Sequence, residues 1–367
     1  MGWRESIETM TMSIQFCGPI PQPGAPAVGG YEACNRRTID ALGAGGDTVH
    51  PLHYPTPRGG ALAKLKGYMR GYLRLLREID SSPGEVFHLT GLYKHFAPAE
   101  WLLLRRAKRR GLRTVYDIRA GAMFRHYQRL GPAYRWLFRS LLRQADQVMI
   151  EGPDYAPFVL EVTGKPAFYL PNHLPVQSMP ARSAGGAAPL RLVYIGRITL
   201  DKGIETALQA ARMLAESGQP CTIAIAGSGP EDLLERLQRD YPEAEWQGAI
   251  SPDRVLEELG KSHFFLFPTR HTGEGHSNAL TEAMAMGCVP VAADNGFNRS
   301  VIGASGVVLP LQDGAKAYAS AVRVLWQGGD WAAYSQAASE RARTLFSTEQ
   351  AVARLRGAYR DLLKASA

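Results

Sequence analysis

The sequence predicts an α/β protein made of open parallel sheets in two domains. Three observations predict it. Short apolar runs of the buried-strand type alternate with helical-period stretches along the chain, the pattern of parallel strands joined by crossover helices. At 367 residues there is length for two full cores. Residues 175–189, rich in Pro, Ala, Gly and Ser and without periodicity, interrupt the pattern, and a fresh strand–helix series follows directly. The domains expected are therefore 1–174 and 175–349, followed by a last amphipathic helix over about Thr348–Lys364.

In the first half, Ser13–Cys17 reads as a strand that enters a Pro/Gly loop and then a helix over about Tyr31–Leu42. Gly29 and Gly30 directly before that helix let backbone approach a ligand at the helix N-terminus, although a Gly pair serves an ordinary turn equally well. The loop lacks the G-x-G-x-x-G spacing and the next strand lacks its closing acid, which counts against a dinucleotide-dependent dehydrogenase. Further strands are expected at Val86–Leu89, Thr114–Ile118, Gln147–Ile150 and Ala167–Leu170.

Between these strands lie three Arg-rich stretches, 62–79, 101–113 and 124–143. Residues 1–180 hold 23 Lys and Arg against 14 Asp and Glu, while residues 181–367 hold 19 against 20. One such helix is an ordinary surface helix whose Arg stems cover apolar neighbours. Three in one half favour attachment to an anionic membrane surface or a phosphate-bearing acceptor. No segment approaches a membrane-spanning apolar length, and the first residues lack a signal peptide's apolar core. The four cysteines, Cys17, Cys34, Cys221 and Cys288, form no C-x-x-C pair, so neither a metal nor a disulfide framework is expected and a reducing cytosol fits.

In the second half, Leu190–Tyr194 is a strand, followed by Gly196-Arg197, then Asp201-Lys202-Gly203, then a helix to about Ala215. Thr222–Ala226 is a strand ending in Gly227-Ser228-Gly229-Pro230, and Trp246–Ile250 is a short strand before a helix over 251–262. The stretch that organises the whole chain comes next. His263–Phe267 is a buried strand closed by Pro268; a polar loop runs to Glu274-Gly275; Ser277 caps a helix; Gly287 stops it; Cys288–Ala293 is another buried strand. The amides of Gly275, His276, Ser277 and Asn278 mark a helix N-terminus suited to anions and sugar hydroxyls. Glu282, eight residues beyond Glu274, lies on the helical track that faces the loop.

Arg197, Lys202, Glu274 and Glu282 thus gather at the C-terminal ends of strands, where open α/β sheets bind ligands. Two permanent cations beside a helix N-terminus suit a diphosphate: Arg offers a fork and Lys a point charge. With this order and spacing, from about Leu190 to Pro310, the chain resembles the retaining GT-B glycosyltransferases of glycosyltransferase family 4. The resemblance implies two Rossmann-like doubly wound domains facing across a cleft, with the C-terminal helix, about 350–367, crossing back to the first. It implies that Arg197 and Lys202 hold the diphosphate of a UDP- or GDP-sugar donor. Glu274, Gly275 and the backbone of His276, Ser277 and Asn278 would hold the sugar, Glu282 the ribose and the backbone near Ile250 the base, with Gly29 and Gly30 closing on the phosphates. Arg197, Lys202 and Glu274 are the catalytic set implied, with no cofactor and no metal. Three positions depart from the family pattern: Arg119, with Asp117 two earlier, stands where His is frequent; Gly296-Phe297 lacks the usual following acid; and Asn172 is followed by His173 rather than Gly. Asp117 and Arg119 are accordingly placed on the acceptor or donor-sugar side.

The expectation is a retaining transfer of a sugar to a glycan acceptor, lipid-linked, in surface polysaccharide or glycoconjugate synthesis, by a cytoplasmic enzyme peripheral at the inner face of the membrane. A nucleotide-sugar epimerase or phosphorylase on the same architecture is the first rival, and would lack the Arg-x4-Lys with Glu-x7-Glu set. A basic nucleic-acid binder is the second; no helix-turn-helix, zinc or RNA-binding signature supports it, and no nucleic-acid partner is expected.

Overall fold

A computed structural model describes residues 11–365 apart from 23, 26, 28 and 184–188. The chain divides into two compact units, Met1–Pro171 with Thr348–Ala367, and Asn172–Ser347. Each has its own six-stranded sheet in which every pairing is parallel.

The first unit runs β1 (Ser13–Gly18), α1 (Gly30–Ala44), β2 (Thr48–His53), α2 (Ala61–Ser81), β3 (Val86–Gly91), α3 (Ala97–Arg109), β4 (Arg113–Ile118), α4 (Met123–Arg129), α5 (Pro132–Gln144), β5 (Gln147–Ile150), α6 (Ala156–Thr163) and β6 (Phe168–Tyr169). Its strand order is β2-β1-β3-β4-β5-β6, so the winding reverses between β1 and β3. The second unit runs β7 (Leu190–Ile195), α7 (Ile204–Glu216), β8 (Cys221–Ala226), α8 (Glu231–Asp240), β9 (Glu245–Gly248), α9 (Pro252–Lys261), β10 (Phe264–Phe267), α10 (Asn278–Ala285), β11 (Val289–Ala293), α11 (Asn298–Ile302), β12 (Val307–Leu309), α12 (Ala315–Gln327) and α13 (Trp331–Leu345). Here the order is β12-β11-β10-β7-β8-β9, and the winding reverses between β7 and β10. The last helix, α14 (Thr348–Lys364), belongs to the first unit.

Each sheet is buried on both faces, which explains the near-continuous apolar strands. The second core gathers Leu192, Tyr194, Ile204, Phe264, Leu266 and Val291. The first joins Ile14, Val86, Val115 and Met149 to Ala351, Leu355 and Tyr359 of α14. Polar contacts fix α14 as well: Arg356 bridges Asp47 at 2.8 Å, and the Tyr359 hydroxyl lies 2.7 Å from His88 Nδ1.

Several elements differ from their sequence expectations for local reasons. The helix expected at 101–113 spans Ala97–Arg109, because Gly111 turns the chain with φ 78° and Arg113 already belongs to β4. The stretch 124–143 is two helices, broken at Gly131-Pro132, where Pro132 opens α5. The strand expected over Ala167–Leu170 covers only Phe168–Tyr169. The strand β2 carries Pro51 and two histidines, so its sequence lacks an apolar run; it is an edge strand, where a missing N–H is tolerated. Within 175–189, the residues up to 183 belong to the second unit, and 184–188 lie outside the described residues. The Asn172 amide donates to the His276 carbonyl at 2.6 Å, and Leu174 bridges Ser347 in parallel, which draws this segment into that unit.

Candidate functional site

The reversal of winding between β7 and β10 leaves a crevice beyond their C-terminal ends, because the loops leaving these two strands turn to opposite faces of the sheet. The loop after β7 carries Gly196, Arg197 and Lys202, and the loop after β10 carries Thr269 to Ser277. By sequence these residues follow strands; the strand order makes those two strand ends neighbours.

Backbone packing sets the first loop. At Gly227, φ is 147° and a Cβ would stand 1.8 Å from the Gly196 carbonyl oxygen. At Gly203, φ is 79° and a Cβ would meet the Pro268 oxygen at 2.1 Å. Neither position accepts a side chain, so the turns after β7, β8 and β10 pack backbone to backbone. The Tyr194 hydroxyl donates to the Arg197 carbonyl at 2.8 Å, and the Ile198 amide donates to the Ser228 carbonyl at 2.8 Å. Arg197 is exposed and has no ion-pair partner among the described residues. It lines a cavity of about 250 Å³ together with Gly196, Gly227, Ser228, Ile250 and Val255. That cavity brings together the cation and the Ile250 segment named from the sequence.

Lys202 is held differently. Its Nζ lies 2.7 Å from Glu274 Oε2, with the two side chains 14% and 7% exposed. The Thr269 hydroxyl donates to the same oxygen at 2.6 Å. Asp201 ties the two loops a second time: its Oδ2 is 2.6 Å from His271 Nδ1, and its carbonyl accepts from the Arg270 amide at 2.7 Å. Hydrogen bonds from Thr199 and then His271 hold the Asp201 carboxyl below its ordinary value. The Asn295 amide donates to the carbonyls of Thr269 and His271 at 3.1 and 2.9 Å. Thr269, Asp201, His271 and Asn295 had no assigned role in the sequence reading. Only Thr269, next to the strand-closing Pro268, stands where a local signal could have flagged it.

The helix N-terminus is formed as its cap predicts. The Ser277 hydroxyl accepts from the Leu280 amide at 3.4 Å. His276 is buried, with Nε2 2.8 Å from the Thr281 hydroxyl and its ring edge-on to Phe346, so the chain near Gly275 and Ser277 is anchored from beneath. Glu282 is half-buried in the second turn of α10.

Gly29, Gly30, Asp117 and Arg119 lie in the first unit. Gly29 precedes α1 with φ 86° and open space around its Cβ position. Asp117 and Arg119 are buried and face each other: Arg119 Nε lies 2.5 Å from Asp117 Oδ2, and Nη1 lies 2.8 Å from Cys34 Sγ. Burial raises the Asp117 carboxyl, but the Arg119 charge and the His88 hydrogen bond outweigh it and the net direction is downward. Burial lowers His88, so its neutral ring donates from Nε2 to Asp117 and accepts at Nδ1 from Tyr359. Arg119 is thus a fixed, inward-held cation joining β4 to α1. Among the described residues no group of three His, Cys, Asp or Glu is disposed to hold a metal ion.

The chain is similar to known proteins in sequence and in fold. Residues 189–328 match the family described as glycosyl transferases group 1. Alpha-D-kanosaminyltransferase of Streptomyces kanamyceticus is 32% identical over 127 residues, 32% of each chain. The amylovoran biosynthesis glycosyltransferase AmsK of Erwinia amylovora is 28% identical over 152 residues, 38% of this chain and 37% of that protein. The alignments thus span about a third of the length of these curated relatives. Likeness of structure reaches further. Sucrose-phosphate synthase from Thermosynechococcus elongatus superposes with a TM-score of 0.76 at 18% identity, covering 96% of this chain and all of the other. Anabaena HepE in complex with UDP gives 0.70 at 13% identity, covering 95% and 99%. The fold is GT-B. In this GT-B chain the matched family stretch contains β7, β10 and the whole Arg197–Lys202–Glu274 arrangement.

Proposed function

We propose that this protein is a retaining glycosyltransferase that moves a sugar from a nucleoside-diphosphate sugar to a glycan acceptor in polysaccharide or glycoconjugate synthesis. The observation that carries the reading is the loop pair at the β7–β10 reversal: an exposed Arg197 on a cavity beside Ile250, and Lys202 paired with Glu274. The relatives support it, being named as glycosyltransferases of colanic acid and amylovoran biosynthesis and a kanosaminyltransferase. A GT-B neighbour described in complex with UDP-glucose supports a UDP-sugar as the first donor to test, with GDP-sugars next.

The chemistry follows from charge. Breaking the bond between sugar and diphosphate leaves added negative charge on the departing phosphate oxygen. Arg197, Lys202 and the amides at the start of α10 stabilise that charge; Lys202, held by Glu274, and the amides are already in place and need no reorganisation. No metal enters the proposal, because the two side chains supply the positive charge. In a front-face transfer the departing oxygen takes the proton of the acceptor hydroxyl, so no separate base is required. Glu274, held by Lys202 and Thr269, orients the donor sugar beside the oxocarbenium-like centre, and Glu282 takes the ribose hydroxyls.

The acceptor in this reading is lipid-linked and met at the inner face of an anionic membrane, supported by the positive balance of residues 1–180. No helix among the described residues is long and apolar enough to cross a membrane. Thermal shift with UDP, GDP and ADP sugars tests the donor: one base should raise the melting temperature clearly above the others. No shift with any of them overturns the reading. Turnover should also be unchanged by EDTA, and a loss restored by a divalent cation overturns the metal-free mechanism.

A further inference from the structure

Four of the large apolar side chains that stand more than half exposed belong to one helix, α2: Leu62, Leu65, Met69 and Leu73, at 53–64%. At about 100° per residue these positions fall within one narrow sector of the helix. Lys66, Arg70 and Arg77 form the adjoining sector, all exposed. The opposite side is closed: Leu75 and Ile79 are buried, and Gly67 and Gly71 lie so near Pro57 and Pro55 that a Cβ would stand 2.4 and 2.3 Å away. The helix is therefore pressed onto its unit by one side and turns an apolar stripe with a basic border outward. The stripe continues onto α3, where Leu102 is half exposed and lines a groove with Leu73 and Leu76. Arg77, Arg105 and Arg109 stand at that groove. Arg106 does too, but it is neutralised by Asp80 at 2.5 Å. Arg77 and Arg109 have no ion-pair partner among the described residues.

We propose that this α2–α3 face is a membrane-docking surface for an anionic phospholipid bilayer, with Leu62, Leu65, Met69 and Leu73 entering the acyl boundary and the basic border meeting lipid phosphates. It rests on the membrane part of the reading above and sharpens it: charge alone predicts attachment outside the headgroups, whereas the stripe predicts shallow insertion. Charge complementarity selects the occupant. A helix lying in the plane of a bilayer needs an apolar sector at the acyl boundary and cations at the height of the phosphates, and α2 provides the two side by side. A second copy of this chain would bring the same basic border against itself.

The test uses the full chain and vesicles of phosphatidylcholine, with and without phosphatidylglycerol. Wild type should sediment with the anionic vesicles only. The triple variant Leu65→Ser/Met69→Ser/Leu73→Ser should lose at least tenfold in vesicle affinity even at low salt. Lys66→Gln/Arg70→Gln/Arg77→Gln should lose the difference between the two vesicle types. A Met69→Trp variant should shift its fluorescence to the blue on anionic vesicles and be quenched by brominated acyl chains. Both triple variants should keep the wild-type melting temperature, since the replaced side chains are exposed. Wild-type vesicle binding by the serine variant, or Met69→Trp fluorescence unmoved by brominated lipid, overturns insertion. Concentration-dependent dimerisation of wild type that the serine variant abolishes assigns the stripe to a second copy instead. Neither triple variant replaces a residue assigned to the donor, so thermal shift with nucleotide tells failure of the donor reading apart from failure of docking.

Discussion

Lys202 shares one oxygen of Glu274 with the Thr269 hydroxyl, whereas Arg197 has no such tie. Both cations should be needed for transfer, so Arg197→Ala and Lys202→Ala are each expected to lower turnover by on the order of 10²-fold. Their stabilities should differ. Lys202→Ala leaves a buried carboxylate short of its charged partner, a cost of about 1–3 kcal/mol, while Arg197→Ala should stay within about 0.5 kcal/mol of wild type. Urea unfolding of the two variants separates them, and equal stability would remove the structural role of the pair. A second residue, Glu100, sits buried in the first unit, accepting from the hydroxyls of Tyr54 and Tyr116 and from the Leu92 amide. Burial pushes its carboxyl up to about 7, and the hydrogen bonds only partly oppose this. The folded state therefore holds a proton that the unfolded state has released above its ordinary value of 4.5. Stability from this group is complete below about pH 4.5 and is lost as pH rises to about 7, by at most about 1.4 kcal/mol per pH unit. Glu100→Gln should flatten that slope in urea midpoints measured across the window; an unchanged slope would assign it to other groups.

At the scale of elements, the site is a product of loops that cannot move apart. Gly227 touches the Gly196 backbone, and Gly203 touches Pro268, so main-chain contacts hold the ends of β7, β8 and β10 together beneath the side-chain ties. Gly227→Ala would need both a disfavoured φ of 147° and space that the Gly196 oxygen occupies. The expected result is a loss of more than about 2 kcal/mol in stability together with weaker nucleotide binding, because the substitution pushes the Arg197 loop off the cavity it lines. Calorimetry with the nucleotide that gives the thermal shift measures the second part. Unchanged affinity in a folded Gly227→Ala protein would show that the loop is not positioned by this contact. The two glutamates should also differ by element. Glu282 sits in α10 and Glu274 in the loop before it, so Glu282→Ala should mainly weaken nucleotide binding and Glu274→Ala mainly slow the chemistry.

For the whole molecule, the last helix is the feature of widest consequence. The helix α14 completes the core of the first unit through Ala351, Leu355 and Tyr359, and Tyr359 reaches the buried His88–Asp117–Arg119 chain. Tyr359→Phe removes a donor from a fully buried imidazole nitrogen and should cost about 1–3 kcal/mol. The loss should appear in the first unit, so stabilisation of the second unit by nucleotide should persist in this variant. Unfolding followed by hydrogen exchange resolves the two units. Equal loss of protection in both would mean that they unfold as one.

The fold class, most of the strands and the position of Arg197, Lys202 and Glu274 in loops after strands are legible in the sequence alone, because parallel strands buried on two faces write themselves as apolar runs and because Gly and Ser mark turns and caps locally. The sequence also marked 62–79 as basic and apolar at once. What it left open was decided by contacts distant in sequence. The edge strand with Pro51 exists because β1 supplies a partner, not because its own pattern calls for a strand. The Lys202–Glu274 pair spans 72 residues and arises only because β10 lies next to β7. The resemblance places Arg119 on the acceptor or donor-sugar side, and the fold holds it buried against Asp117 and Cys34, a contact no local pattern announces. On α2, helical spacing places Leu65, Met69 and Leu73 on one stripe. That the stripe faces outward follows from Gly67 and Gly71, which seat the opposite side of the helix on Pro57 and Pro55. Local patterns record which face of an element is apolar; the packing partner alone determines whether that face is covered.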